Sequence, residues 1–128
     1  MEDTREFLIM TRINIGIDPK TLTSKHLIAE HREMKRVPNQ VKSGRVKVTE
    51  IPTFRLGKGH VHFFTTRLGY LLKRYREVYQ ECLRRGFKVE NYESAWISIP
   101  DELMKDYTPT EEDRKIVEKR IALRLKVN

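Results

Sequence analysis

The sequence predicts a mostly α-helical protein: a single compact domain of three helices joined by long irregular connections. Its 128 residues suit one domain with its own core and are too few for two. Apolar residues recur at helical spacing over the longest periodic segment, between Val61 and Cys82. Proline and glycine stand mainly near the ends of the periodic segments, where they begin or stop a helix.

The first helix is predicted between Pro19 and about Val37. Asp18 is a suitable N-cap, and Pro19 occupies the first helical position, where its missing N–H has no helical partner. Pro38 is expected to close the helix, because proline in a helix interior removes a hydrogen bond and clashes with the preceding turn. The turn-rich stretch that follows should reverse at Ser43-Gly44.

The central helix is predicted to be the core helix of the domain. It follows the glycine-hinged loop RLGKGH, where His60 opens it as a candidate cap, and it ends at Arg85-Gly86. Cys82 is expected to be a buried packing residue rather than a reactive thiol. The apolar stripe of this helix consists of Val61, Phe64, Leu68, Leu71, Leu72, Tyr75, Val78, Tyr79 and Cys82.

The last helix is predicted from a capping box. Thr108 is the N-cap, Pro109 the first helical residue and Glu111 the third, and the helix runs to about Lys126. Between the central and last helices the chain is expected to be irregular, with one short turn at Asp101–Met104.

The charge balance indicates a polyanionic partner. Lys and Arg number 26 against 18 Asp and Glu, so the formal net charge is +8. A surface this basic binds phosphate backbones with release of counterions, although composition alone does not separate DNA from RNA or an anionic membrane. No apolar run approaches the length that a bilayer requires and no signal peptide is recognised, which predicts a cytoplasmic protein. The single cysteine excludes an internal disulfide.

One face of the first helix is a candidate site. His26, Ala29 or Glu30, Glu33 and Arg36 follow spacings that bring them together on one face, and Arg32 lies one turn before Arg36. A carboxylate among several cations suits a reaction that develops positive charge. The same pattern is typical of a solvated helix face in which Glu30 or Glu33 pairs with nearby bases. The residues alone leave both interpretations open.

The last helix carries a second group of bases, Lys119, Arg120 and Arg124. They suit a surface that binds a phosphate backbone, and they equally suit the negative end of the helix dipole. Trp96, in the connection before this helix, is either a core anchor or a platform on which a base stacks.

The four histidines argue against a metal site. His26, His31, His60 and His62 include no pair four residues apart, and the chain has no HExxH motif. No metal or other cofactor is therefore predicted, and any catalysis is expected to be independent of metals.

Several ordered motifs carry a family resemblance. They are MTRIN at Met10–Asn14, HLIAEHREMKRV at His26–Val37, PTFRLGKGHVHFF at Pro52–Phe64, ECLRRGF at Glu81–Phe87 and DYTP at Asp106–Pro109. In this order they resemble the phage endonuclease V family of pyrimidine-dimer DNA glycosylases.

The resemblance implies a three-helix enzyme that cuts the glycosyl bond of an ultraviolet photodimer and then nicks the abasic site. It implies that the nucleophile is the α-amine of Thr11, exposed by removal of an initiator methionine, and that Glu33 is the essential carboxylate. The implied partner is double-stranded DNA that contains a lesion, bound by a monomer without a cofactor. The residues that the resemblance assigns to substrate and phosphate binding are Arg12, His26, Arg32, Arg36, Arg120 and Arg124.

The amine nucleophile requires a chain that begins at Thr11, so the translation start matters. We hypothesise that translation starts at Met10 and that residues 10–128 form the glycosylase-like domain. Residues 1–9 would then result from a start codon assigned too far upstream, or would be an N-terminal extension. Starting at Thr11 removes three acids and one base and raises the formal charge from +8 to +10, which favours DNA binding. A start at Met1 leaves Thr11 without an α-amine, and the alternative is then a catalytically silent DNA-binding relative.

Another alternative keeps the chemistry and changes the lesion. Lys25 and His31 stand where the family has a glutamine and a tyrosine that help to shape the pocket. The chain also ends without the aromatic-rich tail of the family's prototype. A different base lesion therefore remains open as the substrate. A metal-dependent nuclease is the most distant alternative.

Overall fold

The computed structural model describes residues 12–127, except for the side chains of Lys58, Lys126 and Val127. Within this range the α-helices are α1 (Ser24–Met34), α2 (Arg36–Ser43), α3 (His60–Phe64), α4 (Leu68–Arg84) and α5 (Glu111–Val127). Short 3₁₀ turns lie at Pro19–Thr21, Gly57–Gly59, Glu93–Trp96 and Asp101–Leu103. The only β pairing among the described residues is an isolated bridge between Arg67 and Met104. The mostly α class is confirmed, as is the short turn near residue 101, but two of the three predicted helices are each divided.

The first predicted helix begins later than expected. Asp18 accepts a hydrogen bond from the N–H of Lys20 at 3.0 Å, but it caps only the 3₁₀ turn that starts at Pro19. The backbone is then extended at Leu22 and Thr23. The Thr23 hydroxyl accepts a hydrogen bond from the N–H of His26 at 3.2 Å, which makes Thr23 the N-cap of α1.

The expectation that Pro38 closes the first helix is wrong. The helix is interrupted at Lys35 instead, and Pro38 lies in the first turn of α2. The N–H groups of a first turn have no intrahelical partner, so proline costs little there. Gly44 ends α2 in the left-handed conformation, at φ 77°, which confirms the predicted reversal.

The central helix is interrupted between α3 and α4. The Thr65 hydroxyl donates to the carbonyl of His62 at 2.8 Å and accepts from the N–H of Thr49 at 3.0 Å. Threonine side chains that bond the backbone in this way compete with helix continuation. His60 opens α3 but is not its cap: its Nδ1–H donates to the carbonyl of Arg55 at 3.1 Å. Gly86, at φ 82°, follows the end of α4 as predicted.

The capping box of the last helix is displaced by two residues. The Thr110 hydroxyl accepts from the N–H of Asp113 at 3.0 Å, and the Asp113 carboxylate accepts from the N–H of Thr110 at 3.0 Å. Asp113 also accepts a hydrogen bond from the Tyr107 hydroxyl, so its carboxylate is fixed at this place. The predicted box of Thr108 and Glu111 is therefore wrong, whereas the helix end at Val127 lies within one residue of the prediction.

The core is formed where α1 packs against α4. Cys82 and Trp96 are buried in it, and the indole N–H of Trp96 donates to the carbonyl of Leu68 at 3.0 Å, so both are packing residues. No helix in the described part of the chain is long and apolar enough to cross a bilayer. Residues that are almost completely inaccessible include Ile13, Ile15, Leu27, Met34, Val37, Phe63, Phe64, Leu68, Leu71, Tyr75, Val78 and Val117.

Candidate active site

Glu33 lies at the junction between α1 and α2. Its carboxylate accepts a hydrogen bond from Nη1 of Arg36, the first residue of α2, at 3.1 Å. The Glu33 side chain is 21% exposed and that of Arg36 is 59% exposed, so this ion pair remains in contact with solvent. A partly exposed carboxylate with one cationic partner is accessible to a substrate and keeps hydrogen-bonding capacity for it.

The N-terminal segment brings Arg12 to the same place. Burial lowers the pKa of the Arg12 guanidinium, and the neighbouring charges of Arg124 and Arg32 lower it further, whereas Glu33 raises it. Arg12 therefore interacts electrostatically with charged side chains of both α1 and α5. Like charges gathered in this way favour the binding of an anion, which relieves their mutual repulsion.

Helix α5 contributes Arg120 and Arg124, which are one helical turn apart. Arg120 is buried, and burial lowers its pKa to about 10, with Glu30 acting in the opposite direction and the charges of Arg124 and Arg12 adding to the decrease. At this value the guanidinium is still charged at neutral pH. Of the predicted bases of the last helix, Arg120 and Arg124 thus interact with Arg12 and not only with the dipole of their own helix.

His26 lies in the first turn of α1, on the side that faces α5. Burial lowers the pKa of its imidazole, and the charges of Arg120, Arg124, Lys25 and Arg12 lower it further, so His26 is neutral at pH 7. Its Nδ1 lies 3.0 Å from the Thr23 hydroxyl. Its Nε2 is buried and has no hydrogen-bond partner among the described residues. His26 is therefore suited to a hydrogen bond rather than to a permanent ion pair.

A cavity of about 420 Å³ opens beside Glu33. Polar side chains from α1, α2 and α3 and from the loop after α2 line this cavity, together with aliphatic side chains of the N-terminal segment and α2. The position next to Glu33 makes it the natural space for a substrate group. Its polar lining residues are Glu33, Arg36, Gln40, Arg45, His60 and His62.

The predicted site residues that the structure describes thus come together around Arg12 and Glu33. Thr11 lies outside the described residues, and its neighbour Arg12 is in the cluster. His31 is different, because it is buried against Tyr75, whose hydroxyl lies 3.1 Å from its Nε2, and it stacks on Tyr79. His31 does not line the cavity beside Glu33, since its ring belongs to a core aromatic cluster.

The sequence analysis missed the partner of Glu30. Glu30 was grouped with the charged face of the first helix, but it is wholly buried and pairs with Arg74 of α4. A signal was available: Arg74 stands on the apolar stripe of the central helix, between Leu71 and Val78. An arginine on a buried stripe needs a carboxylate partner. Among the described residues, no group of three or more His, Cys, Asp and Glu side chains is arranged to hold a metal ion.

A comparison with protein families agrees with this arrangement. The family model described as pyrimidine dimer DNA glycosylase matches residues 10–93, about two thirds of the chain. The match includes Thr11, Arg12 and the helices α1 to α4, whereas α5 lies beyond it. DNA glycosylases of this family act on DNA that contains pyrimidine dimers. The chain belongs to the pyrimidine dimer DNA glycosylase family.

Proposed function

We propose that this protein is a DNA repair glycosylase with an associated abasic-site lyase activity. It cuts the glycosyl bond of a pyrimidine dimer through an imine formed by the α-amine of Thr11, without a metal. The observation that carries the proposal is the meeting of Arg12, the neighbour of Thr11, with Glu33 and the bases of α1 and α5. The family match supports the substrate, and the lyase step rests on the chemistry of an amine nucleophile.

An α-amine suits the first step because more of it is unprotonated at neutral pH than of a lysine amine. Its ordinary pKa is about 7.7–8, compared with about 10.4 for lysine. Cationic neighbours such as Arg12 disfavour its protonated form and lower this value further. The amine nitrogen attacks C1′ of the damaged nucleotide, and the bond between C1′ and the base breaks. The base leaves with the electron pair and takes up a proton.

The second step cuts the backbone. The attached nitrogen loses a proton, the bond between C1′ and O4′ breaks with its electron pair on O4′, and O4′ takes up a proton. The product is an iminium at C1′, which makes the C2′ proton acidic. Removal of that proton expels the 3′ phosphate by β-elimination, and water then hydrolyses the iminium and releases the protein. We assign Glu33 to stabilise the cationic intermediate and to move these protons, because its carboxylate is accessible and lies beside the cavity.

The bases around Glu33 are assigned to the DNA backbone. Arg12, Arg32, Arg36 and Arg124 are suited to phosphate oxygens, buried Arg120 adds positive charge beneath them, and neutral His26 is suited to a hydrogen bond. Nonspecific binding should therefore weaken steeply with salt. The cavity beside Glu33 gives room for a nucleotide turned out of the stack, as enzymes that act on a base require.

Borohydride trapping on a duplex with an abasic site tests the proposal. We expect a chain that begins at Thr11 to become covalently attached to the DNA, with or without a chelator, and a chain that begins at Met1 to remain unattached. A duplex with a pyrimidine dimer then tests the glycosylase step. Failure of the Thr11 chain to attach would indicate a DNA-binding relative without catalysis, and equal attachment of both chains would exclude the Thr11 amine as the nucleophile.

The start of the native chain is tested separately. We expect the intact mass and N-terminal sequence of protein expressed from the native gene to show Thr11 as the first residue, since methionine is removed before a small residue. A mass that includes residues 1–9 would mean that this gene product lacks the proposed nucleophile.

A further inference from the structure

A buried polar network holds the N-terminal segment between α1 and α4. Glu30 accepts two hydrogen bonds from Asn14, from the backbone N–H at 3.1 Å and from Nδ2 at 2.8 Å. It accepts two more from Arg74, from Nε at 2.8 Å and Nη2 at 3.0 Å. Arg74 also donates through Nη1 to the carbonyl of Ile17. We call Asn14, Glu30 and Arg74 the N-terminal clamp.

The clamp holds both ends of one turn. The N–H of Ile17 donates to the carbonyl of Asn14 at 3.3 Å, and Gly16 takes the φ of 78° that a type II turn requires at its third position. Glu30 binds the first residue of this turn and Arg74 binds the last. The path of the chain that leads back to Arg12 is therefore fixed from two helices.

Stability alone does not explain the clamp. Burying two charges has a desolvation cost that their attraction only partly offsets, and apolar replacements of similar volume are often equally stable. The segment also has its own apolar anchors, since Ile13, Ile15 and Ile17 are all buried. These three isoleucines recur every two residues, so their burial does not by itself distinguish one register of the segment from another.

The polar contacts do distinguish the registers. A displacement by two residues would exchange one isoleucine for another and would shift the extended chain before the turn by about 6.6 Å. It would also remove the Asn14 amide from Glu30, which accepts a bond from no other side chain in the described part of the segment. The directional bonds to Asn14 therefore select one register together with the positive φ of Gly16, and register selection is a role for which buried polar groups are well attested.

The selected register decides where Arg12, the first described residue, lies. Glu30 and Glu33 are three residues apart on α1, a rise of about 4.5 Å along the helix axis. Asn14 and Arg12 are two residues apart, and an extended chain spans about 7 Å over that interval. Arg12, one residue from Thr11, is close enough to Glu33 for their charges to interact.

We propose that Asn14, Glu30 and Arg74 are positioning residues that set the register of the N-terminal segment, hold Arg12 near Glu33 and thereby align the Thr11 amine for imine formation. This inference rests on the proposed function. Rates of reactions between held groups depend steeply on their alignment. Loss of the clamp should therefore lower the rate of imine formation in the bound complex more than it lowers the affinity for DNA.

The test uses a chain that begins at Thr11 and carries Asn14→Leu, Glu30→Met and Arg74→Met together. This triple variant removes the Glu30–Arg74 pair as a unit, so that neither of these two charges is left buried without the other. Two quantities are measured: the Kd for an abasic duplex at fixed salt, and the single-turnover rate of borohydride trapping at saturating DNA. We expect the trapping rate to fall at least 30-fold and the Kd to change less than threefold.

A matched control lies at the other end of α4. Arg85 donates to Glu81 at 2.7 Å and to the carbonyl of Leu22 at 2.8 Å, so this pair also ties the early chain to α4, but beyond the turn held by the clamp. The double variant Glu81→Met with Arg85→Met should leave the trapping rate within threefold of the parent. A comparable loss of rate in the control would overturn the positioning role.

The remaining outcomes separate this inference from the proposed function. If the parent traps DNA and the triple variant traps it within threefold of that rate, the clamp has no positioning role and the proposed function stands. The positioning role also fails if the Kd weakens as much as the rate falls. A parent that traps nothing overturns both. If circular dichroism shows the triple variant to be unfolded, Asn14→Leu, which keeps the Glu30–Arg74 pair, decides by the same comparison, with an expected tenfold loss of rate.

Discussion

Glu30 and Glu33 stand one turn apart on the same helix and have opposite surroundings. Glu30 is wholly buried and accepts four hydrogen bonds from Asn14 and Arg74. Glu33 is partly exposed and has one cationic partner, Arg36, which is itself largely in solvent. The comparison shows that a carboxylate whose bonding capacity is filled by the fold supports the architecture, whereas one with capacity to spare is available to a substrate.

The largest expected effect is on catalysis at Glu33. The substitution Glu33→Gln should reduce turnover on abasic and dimer-containing duplexes by at least about 100-fold, in the range typical of a lost group that stabilises developing charge. DNA affinity should be largely retained, because the binding groups are cations on other positions. Nicking assays and a binding isotherm on the same preparation test this. Nicking at the parental rate would show that Glu33 has been assigned wrongly.

The next largest effect is on stability at Glu30. The substitution Glu30→Gln leaves Arg74 buried without a charged partner, which should lower the free energy of unfolding by about 3–5 kcal/mol. The same change at Glu33 should alter it by less than about 1 kcal/mol, since exposed ion pairs contribute little. Urea unfolding of the two variants measures both values. Equal losses would remove the distinction between the two carboxylates.

The pH dependence of the free energy of unfolding gives a further test of the buried Glu30 carboxylate. Burial alone would raise the pKa of Glu30, but the charge of Arg74 and the hydrogen bonds from Arg74 and Asn14 outweigh it and lower the pKa below its ordinary value. A depressed folded-state pKa contributes stability that is present above the unfolded value of about 4.3 and is lost as the pH falls through the folded value.

The difference in unfolding free energy between the parent and Glu30→Gln should therefore shrink as the pH falls below about 4.3. Other depressed carboxylates, such as Glu81 with a pKa of about 2, occur in both proteins and cancel in the difference. A difference that stays constant down to pH 3 would contradict the assignment of the Glu30 charge.

The smallest expected effect concerns Arg36. Replacing it by Gln should change the free energy of unfolding by less than about 1 kcal/mol, because its bond to Glu33 is exposed. As a proposed phosphate contact it should reduce the slope of log K against log salt by about 0.9. Binding isotherms at several salt concentrations measure this slope. An unchanged slope would place Arg36 outside the DNA contact.

Much of the site was predictable, because helical spacing and the family motifs both report on short stretches of chain. His26, Glu33 and Arg36 lie within one stretch of eleven residues, and the structure does pair Arg36 with Glu33 and bring His26 near Arg12, whereas their roles stay predictions. The Glu30–Arg74 pair was not predicted, because its members are 44 residues apart and belong to different helices. Helical periodicity places a residue on a face but does not name what packs against that face.

The helix breaks were missed for a related reason. Thr23, Thr65 and Thr110 each satisfy backbone groups through their hydroxyls, and which backbone group they reach depends on the neighbouring chain. Thr65, for example, also accepts a hydrogen bond from the N–H of Thr49, in the irregular segment before α3. Local propensity indicated helix through the TT pair at residues 65 and 66, and the tertiary contact ended it.

The attachment of the N-terminal segment to Arg74 has a consequence for biosynthesis. Arg74 lies 57 residues after Ile17, so the first residues synthesised reach their final place only after most of the chain has been made. At about 5–20 residues per second, the ribosome needs about 3–12 s to add that length. For a chain that starts at Met10, this interval leaves the end of the nascent chain open to the peptidase that removes the initiator methionine. Cleavage can thus precede the docking of Asn14 and Ile17 against α1 and α4.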